Sequence, residues 1–212
     1  MPDNNHRFRF PWRDGNRFEL LIDGRRFLPR LLAAIDAARR YVLVEMYLFE
    51  SGTVTSRFID ALVRATARGV KVRLLLDDFG ALGLTRADRE RIHTAGIELA
   101  FYNPLRTTKL LRNFFRDHRK LVLVDGRVAF TGGAGIADEF DPPRHPEQAW
   151  RETLIEIHGP VVQDWQELFL DIWNRQRDAP ASLPPAELPP AGDHRGRVTV
   201  TRGPIGQEIK RS

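Results

Sequence analysis

His118-Arg-Lys120-Leu-Val-Leu-Val-Asp125-Gly-Arg-Val-Ala-Phe-Thr-Gly132-Gly133-Ala-Gly135 runs through the second half of this 212-residue chain. It places a histidine, a lysine and an aspartate at fixed offsets along one strand. Val124-Asp-Gly-Arg127 then turns the chain into a tight antiparallel hairpin, because Asp-Gly supplies the backbone angles that such a turn needs. Side chains alternate along a strand, so His118 and Lys120 share a face. Asp125 stands at an odd offset from His118 and is expected to hold the hairpin mouth rather than touch a substrate. Gly132 and Gly133 let backbone amides come close to an anion.

Outward from the hairpin, the pattern is one of alternating strands and helices. Residues 17–24 read as a short strand ended by an Asp-Gly turn, and residues 27–40 carry Leu28, Leu31, Leu32, Ile35 and Ala38 at helical spacing, with Pro29 in the first turn. Residues 41–49 are a nearly continuous apolar strand, as in a sheet covered on both faces. A helix over 55–68, a strand over 70–77, a helix opened by Thr85 and Asp88 and stopped by Gly96, and a strand over 97–102 follow. Strand–helix–strand order with crossover-length helices predicts parallel strands at the centre, and the hairpin makes the sheet mixed. A strand over 151–157 and a helix from Pro160 to about residue 177 complete the lobe. The expected organisation is a lobe over 1–178, a Pro-rich linker over 179–192, and the first strand of an incomplete second lobe over 193–212.

Composition narrows the function classes. Apolar residues at 42% and charged residues at 29% describe an ordinary globular protein. No apolar run approaches the roughly eighteen residues of a membrane span, and Met1-Pro-Asp-Asn-Asn-His lacks a signal peptide's apolar core. Zero cysteines exclude disulfides and thiolate metal sites and fit a cytosolic setting. A net charge of +5 favours an anionic partner, phospholipid or nucleic acid.

Cleaving a phosphodiester without a metal demands a nucleophile that can leave again, and the neutral imidazole of His118 suits that role. Lys120 supplies a fixed positive charge for the non-bridging oxygens. Asp77-Asp78 ends a core strand and reads as a capping or turn pair rather than a metal site. Glu45, on a buried strand, is expected to pair with a basic group. Arg106, Lys109 and Arg112 interleave with Leu110, Leu111, Phe114 and Phe115 just before the histidine, a basic segment with apolar tips suited to an anionic lipid surface.

The spacing His-x-Lys-x4-Asp-x6-Gly-Gly resembles the HKD motif of the phospholipase D superfamily, and chance would produce it in about 5 of 100,000 chains of this composition. Residues 16–177 are similar to the N-terminal half of bacterial cardiolipin synthases. The resemblance is carried by Leu-Leu-Ile-Asp-Gly24, Glu45-Met-Tyr-Leu-Phe, Arg68-Gly-Val-Lys-Val-Arg-Leu-Leu-Leu-Asp77, Asn103-Pro-Leu-Arg, Gly-Ile-Ala-Asp-Glu139 and Trp150-Arg-Glu-Thr. It implies a phospholipase D-like α/β lobe, a mixed β-sheet flanked by helices on both faces. It also implies phosphatidyl transfer through a phosphohistidine, with no cofactor and no metal, at the cytosolic face of a membrane. The catalytic set becomes His118 as nucleophile, Lys120 as phosphate clamp, Asp125 in the hairpin and Glu152 orienting the imidazole. Gly132, Gly133 and Gly135 stand at the phosphate-binding positions. The implied partners are an anionic phospholipid, phosphatidylglycerol or cardiolipin, and a second HKD lobe from another chain or a homodimer partner. Nucleic acid ranks behind lipid.

Two departures from the family pattern stand out. Gly135 occupies the place of an asparagine whose amide would bind phosphate, a loss of about 2–3 kcal/mol of transition-state stabilisation. No other histidine here (His6, His93, His145, His158, His194) is followed two residues later by lysine, so the chain holds half of a two-motif site. Two alternatives stay open: a phosphodiesterase or nuclease active as a homodimer, and an inactive half-site that binds anionic lipid.

Overall fold

The computed structural model describes residues 10–105, 116–142, 145–176, 180–183 and 188–200. Eight strands and four α-helices follow in the order β1 (Arg13–Ile22), α1 (Gly24–Asp36), β2 (Tyr41–Met46), α2 (Thr53–Ala67), β3 (Lys71–Asp77), α3 (Arg86–Thr94), β4 (Glu98–Tyr102), β5 (Leu121–Val124), β6 (Val128–Gly132), β7 (Thr153–His158), α4 (Val162–Arg175) and β8 (His194–Gly196). The strands form one sheet in the order β4-β3-β2-β5-β6-β7-β1-β8. β2, β3 and β4 are mutually parallel, whereas every other pairing is antiparallel, so the mixed sheet is as expected.

The steps β1→β2→β3→β4 all move in one direction across the sheet. Right-handed crossovers therefore put α1, α2 and α3 on one face. They bury Phe27, Leu28, Leu31 and Ile35 of α1, Phe58, Ile59 and Leu62 of α2 and Ile92 of α3 against Val42, Val44, Leu74, Leu76, Val122 and Phe130. Each fully buried large side chain contributes about 1.5–3 kcal/mol. The other face packs Leu43, Leu75, Leu121 and Leu123 against Leu168, Phe169 and Trp173 of α4. The alternation of strand side chains between these layers explains why β5, and β2 apart from Glu45, are apolar.

Several boundaries differ from the pattern-based reading. α1 begins at Gly24, because the Asp23 carbonyl accepts the Arg26 and Phe27 N–H groups, and Pro29 therefore stands in the second turn. β2 stops at Met46, since Tyr47 and Leu48 leave the ladder before Phe49 bridges Ile136. The α3 cap is as read: the Thr85 hydroxyl accepts the Asp88 N–H. α2 is capped from a distance, its Thr53 and Val54 N–H groups donating to Asp138 at 3.0 and 2.7 Å.

Residues 194–196, within the segment expected to open a second lobe, form an edge strand of this one. β8 pairs antiparallel with β1, and Val198 is buried in the α4-side core, with Leu183 and Leu188 packed against it. Ala181 exchanges two hydrogen bonds with the Asn174 side chain, so the described residues of the expected linker lie along the lobe. Without this cover the apolar ring of Phe18 and the α4 side of the core would face water.

Candidate active site

The ladder registers define one end of the sheet. Glu45 pairs with Leu121, Leu121 with Thr131, and Gly132 with Leu154. The residues just past these pairs therefore converge: Tyr47 after β2, His118 to Lys120 before β5, Gly133 after β6 and Glu152 before β7. This is the carboxyl end of the parallel strands, where open α/β sheets place their ligand sites.

At this end the Lys120 ammonium donates to the His118 carbonyl at 2.9 Å and lies 5.3 Å from the Tyr47 ring centre. Burial holds the Lys120 pKa below the ordinary lysine value, with the charges of Asp117 and Glu152 partly restoring it. Thr131 Oγ1 donates to the Lys120 carbonyl at 2.8 Å and fixes the backbone here. His118, Lys120 and Glu152 are thus brought to one place. The Glu152 carboxylate accepts the Thr153 N–H at 2.8 Å, and among the described residues no hydrogen bond joins it to the His118 ring. The Asp23 N–H holds the Glu152 carbonyl at 2.8 Å, which sets the height of this loop.

The glycines give room to close neighbours. A Cβ on Gly133 would lie 2.3 Å from the Glu152 carboxylate, so its lack of a side chain admits that carboxylate. The Gly133 N–H is given to the Thr153 carbonyl at 3.3 Å and is not turned toward an anion. Gly132 sits against the Thr153 carbonyl, at 2.2 Å from a virtual Cβ. Gly135 is buried, and a Cβ there would meet Leu48 Cβ at 2.6 Å and the Leu48 carbonyl at 2.7 Å. An asparagine does not fit that space without moving the chain. Gly135 is a packing contact against Leu48 in this protein.

Asp125 lies at the opposite end of β5 from His118. Its carboxylate accepts the N–H groups of Arg39, Arg40 and Tyr41 at 2.9, 2.8 and 2.9 Å, and it sits at φ 55 beside Gly126 at φ 69. Both turn residues thus have the positive φ of a hairpin turn. The residue ties the α1–β2 link to the hairpin and takes no part in the site's chemistry. Arg106, Lys109, Arg112, Phe114 and Phe115 lie outside the described residues.

Asp117 and Arg119 alternate with His118 and Lys120 and face the opposite way. Arg119 reaches Glu45 at 2.6 Å and Asp117 at 3.1 Å, while the Asp117 N–H donates to Asp77 at 2.9 Å and Arg116 pairs with Asp77 at 3.3 Å. Glu45 therefore has the basic partner expected of it. Burial and the Asp117 charge push the Glu45 carboxyl well above the usual range, with Arg119 opposing. Burial would also raise Asp117, but Glu45 and Arg119 together hold it low, so Glu45 is the member of the pair that takes a proton first. Asp77 also accepts the Phe79 and Gly80 N–H groups at 3.0 and 3.2 Å, a turn role. The segment that carries the histidine into β5 is anchored from beneath by this network. The charged quartet at 117–120 signals such two-sided anchoring, and period-two reading could have found it; Tyr47 left no such signal.

Residues 31–173 match the family model described as cardiolipin synthase, PLD-like domain. Cardiolipin synthase A of Pseudomonas aeruginosa is 33% identical over 201 residues, covering 92% of this chain and 40% of the relative. Cardiolipin synthase 1 of Bacillus cereus is 32% identical over 164 residues, 77% of this chain and 32% of that one. The chain thus spans well under half the length of these relatives. Among solved structures, the phospholipase D family member Nuc from Salmonella typhimurium aligns with TM-score 0.58 and 23% identity, over 78% of this chain and 99% of that one. NucT from Helicobacter pylori aligns with TM-score 0.59 and 14% identity, over 74% and 96%. These likenesses establish the fold. With the family model spanning most of the lobe, and with the histidine, lysine and glutamate converging at one sheet end, this chain belongs to the cardiolipin synthase, phospholipase D-like domain family.

Proposed function

We propose that this lobe supplies the nucleophilic half of a phosphatidyltransferase of the cardiolipin-synthase type. The observation that carries the reading is the convergence of His118, Lys120 and Glu152 at the sheet end, in a chain one-third identical to cardiolipin synthases. In the reaction, a His118 ring nitrogen attacks the phosphorus of a phospholipid such as phosphatidylglycerol. An N–P bond forms, the P–O bond to the headgroup breaks, and the departing alkoxide takes a proton from an acid. Lys120 neutralises the non-bridging oxygens. A second alcohol then attacks the phosphohistidine and frees the imidazole. His118 must be neutral to attack and cannot be the acid of the same step, so a second lobe, in another chain or in a homodimer partner, provides the proton.

Phe79, Leu82, Leu105 and Trp150 are exposed on loops at the same sheet end as His118, which favours a lipid surface and a peripheral place on the cytosolic face of a membrane. The second reading, a homodimeric phosphodiesterase, rests on Nuc and NucT, whose chains are almost wholly covered by this single lobe. Incubation of the protein, concentrated enough to pair with a second copy, with phosphatidylglycerol or with single-stranded DNA, EDTA being present throughout, separates the two. An acid-labile phosphatidyl adduct after alkaline quench is expected, and it disappears in His118→Ala. An adduct that survives His118→Ala, or hydrolysis of DNA alone, overturns the proposal.

A further inference from the structure

The His118 ring lies face to face with Tyr47, centroids 4.1 Å apart and planes 16° from parallel. Tyr47 is the first residue past β2, half-buried, and is itself held from behind. Gly80 packs so closely that a virtual Cβ would be 2.0 Å from the Tyr47 carbonyl and 3.2 Å from its ring Cδ2. The Gly80 carbonyl in turn accepts the Phe49 N–H at 3.1 Å, locking the turn after β3 against the strand that carries the tyrosine. The Lys120 ammonium lies over the same aromatic ring at 5.3 Å.

We propose that Tyr47 is a positioning residue that holds the His118 imidazole in its attack orientation and keeps the Lys120 ammonium beside it. The inference rests on the reading of His118 as nucleophile. An imidazole attacks through a nitrogen lone pair in the plane of its ring, so rotation of the ring re-aims the lone pair away from phosphorus. A hydrogen bond to one nitrogen fixes the ring but occupies an edge. A stack fixes the plane through the face and leaves both ring nitrogens open, one for phosphorus and one for a carboxylate. Among the described residues no hydrogen bond to a side chain fixes this ring, so the stack is the restraint that these residues supply before substrate binds. An off-axis nucleophile loses up to about a hundredfold in rate.

Phosphoramidate tests this on the chain as it stands, because it phosphorylates imidazole directly. The N–P bond forms as the reagent's own P–N bond breaks, and ammonia leaves without help from a second lobe. Phosphorylation at His118 is followed by mass against exposed His145 as internal reference. In the wild type His118 should react faster than His145. Tyr47→Phe should match the wild type, whereas Tyr47→Leu, folded by its urea midpoint, should react at least about tenfold more slowly at His118 only. The His118 ring protons should also lie upfield in wild type and Tyr47→Phe, and move downfield in Tyr47→Leu as the ring current is lost. An unchanged or faster His118 reaction in folded Tyr47→Leu overturns the positioning role. A wild-type His118 no faster than His145 overturns the nucleophile reading itself.

Discussion

At the scale of single residues, function turns on how little room the site leaves. Gly133 exists so that Glu152 can occupy the space of its missing side chain, and Gly135 so that its backbone can lie on Leu48. The Ile136 N–H donates to the Leu48 carbonyl at 2.9 Å, so the Leu48 backbone cannot yield easily. Gly135→Asn, which family pattern alone would offer as a repair, should therefore lower stability by about 1–3 kcal/mol and bring no gain in adduct formation. Urea denaturation with a parallel adduct assay checks both, and a more active variant of wild-type stability would restore the phosphate-binding role. Lys120→Ala should leave the fold intact and slow turnover by roughly two to three orders of magnitude, the usual effect of losing one preorganised contact to the transition state. Steady-state assay of the variant against wild type, in the presence of whatever second lobe completes the site, measures it.

At the scale of elements, two polar devices hold β5 and the histidine segment that leads into it. Asp125 gathers three backbone N–H groups from the α1–β2 link onto the β5–β6 hairpin. Asp125→Ala should cost about 1–3 kcal/mol, because those donors lose a charged acceptor and alanine tolerates the positive φ poorly. Asp125→Asn, which accepts that backbone angle, should cost less, and neither change should alter His118 reactivity per folded molecule. The second device lies beneath the strand, where Glu45 is raised by burial and by Asp117. Between the unfolded value, about 4.3, and its raised folded value, native Glu45 holds a proton that the unfolded chain has released. Stability from this group is thus full at low pH and falls as pH rises through that window. Glu45→Gln removes the slope, so its urea midpoint relative to wild type should climb from pH 5 to pH 8. Parallel curves would refute the assignment. Asp117 is shifted the other way, and its contribution is lost only as pH falls through its lowered value, which separates the two effects.

At the scale of the whole molecule, the proposed chemistry calls for an acid as well as a nucleophile, and this chain carries one histidine in the His-x-Lys spacing. The relatives named cardiolipin synthase are more than twice as long as the matched lobe, whereas Nuc and NucT are about its size. A monomer at 24.3 kDa should accordingly be inactive, and activity should appear only with a second copy or a separate second lobe. Light scattering on the same samples as the phosphatidyl-transfer assay decides this, and an active monomer would contradict the half-site chemistry.

Local pattern was enough for whatever depends on spacing along the chain. The α/β alternation, the Asp125-Gly126 hairpin, the Thr85 cap and the shared face of His118 and Lys120 all follow from periods of two or 3.6 and from turn chemistry, which act between near neighbours. What the tertiary structure alone decided depends on pairs far apart in sequence. Asp138 caps a helix 85 residues earlier, Asp125 binds the link before β2, β8 joins the edge beside β1, and Tyr47 meets His118 across the β2–β5 pairing. The crowding at Gly133 and Gly135 belongs to the same class, since a glycine shows in sequence that space is short but not which side chain fills it. The chain specifies each element by local physics, whereas the partners that give a glycine, an aspartate or a tyrosine its task are chosen only when the elements close on one another.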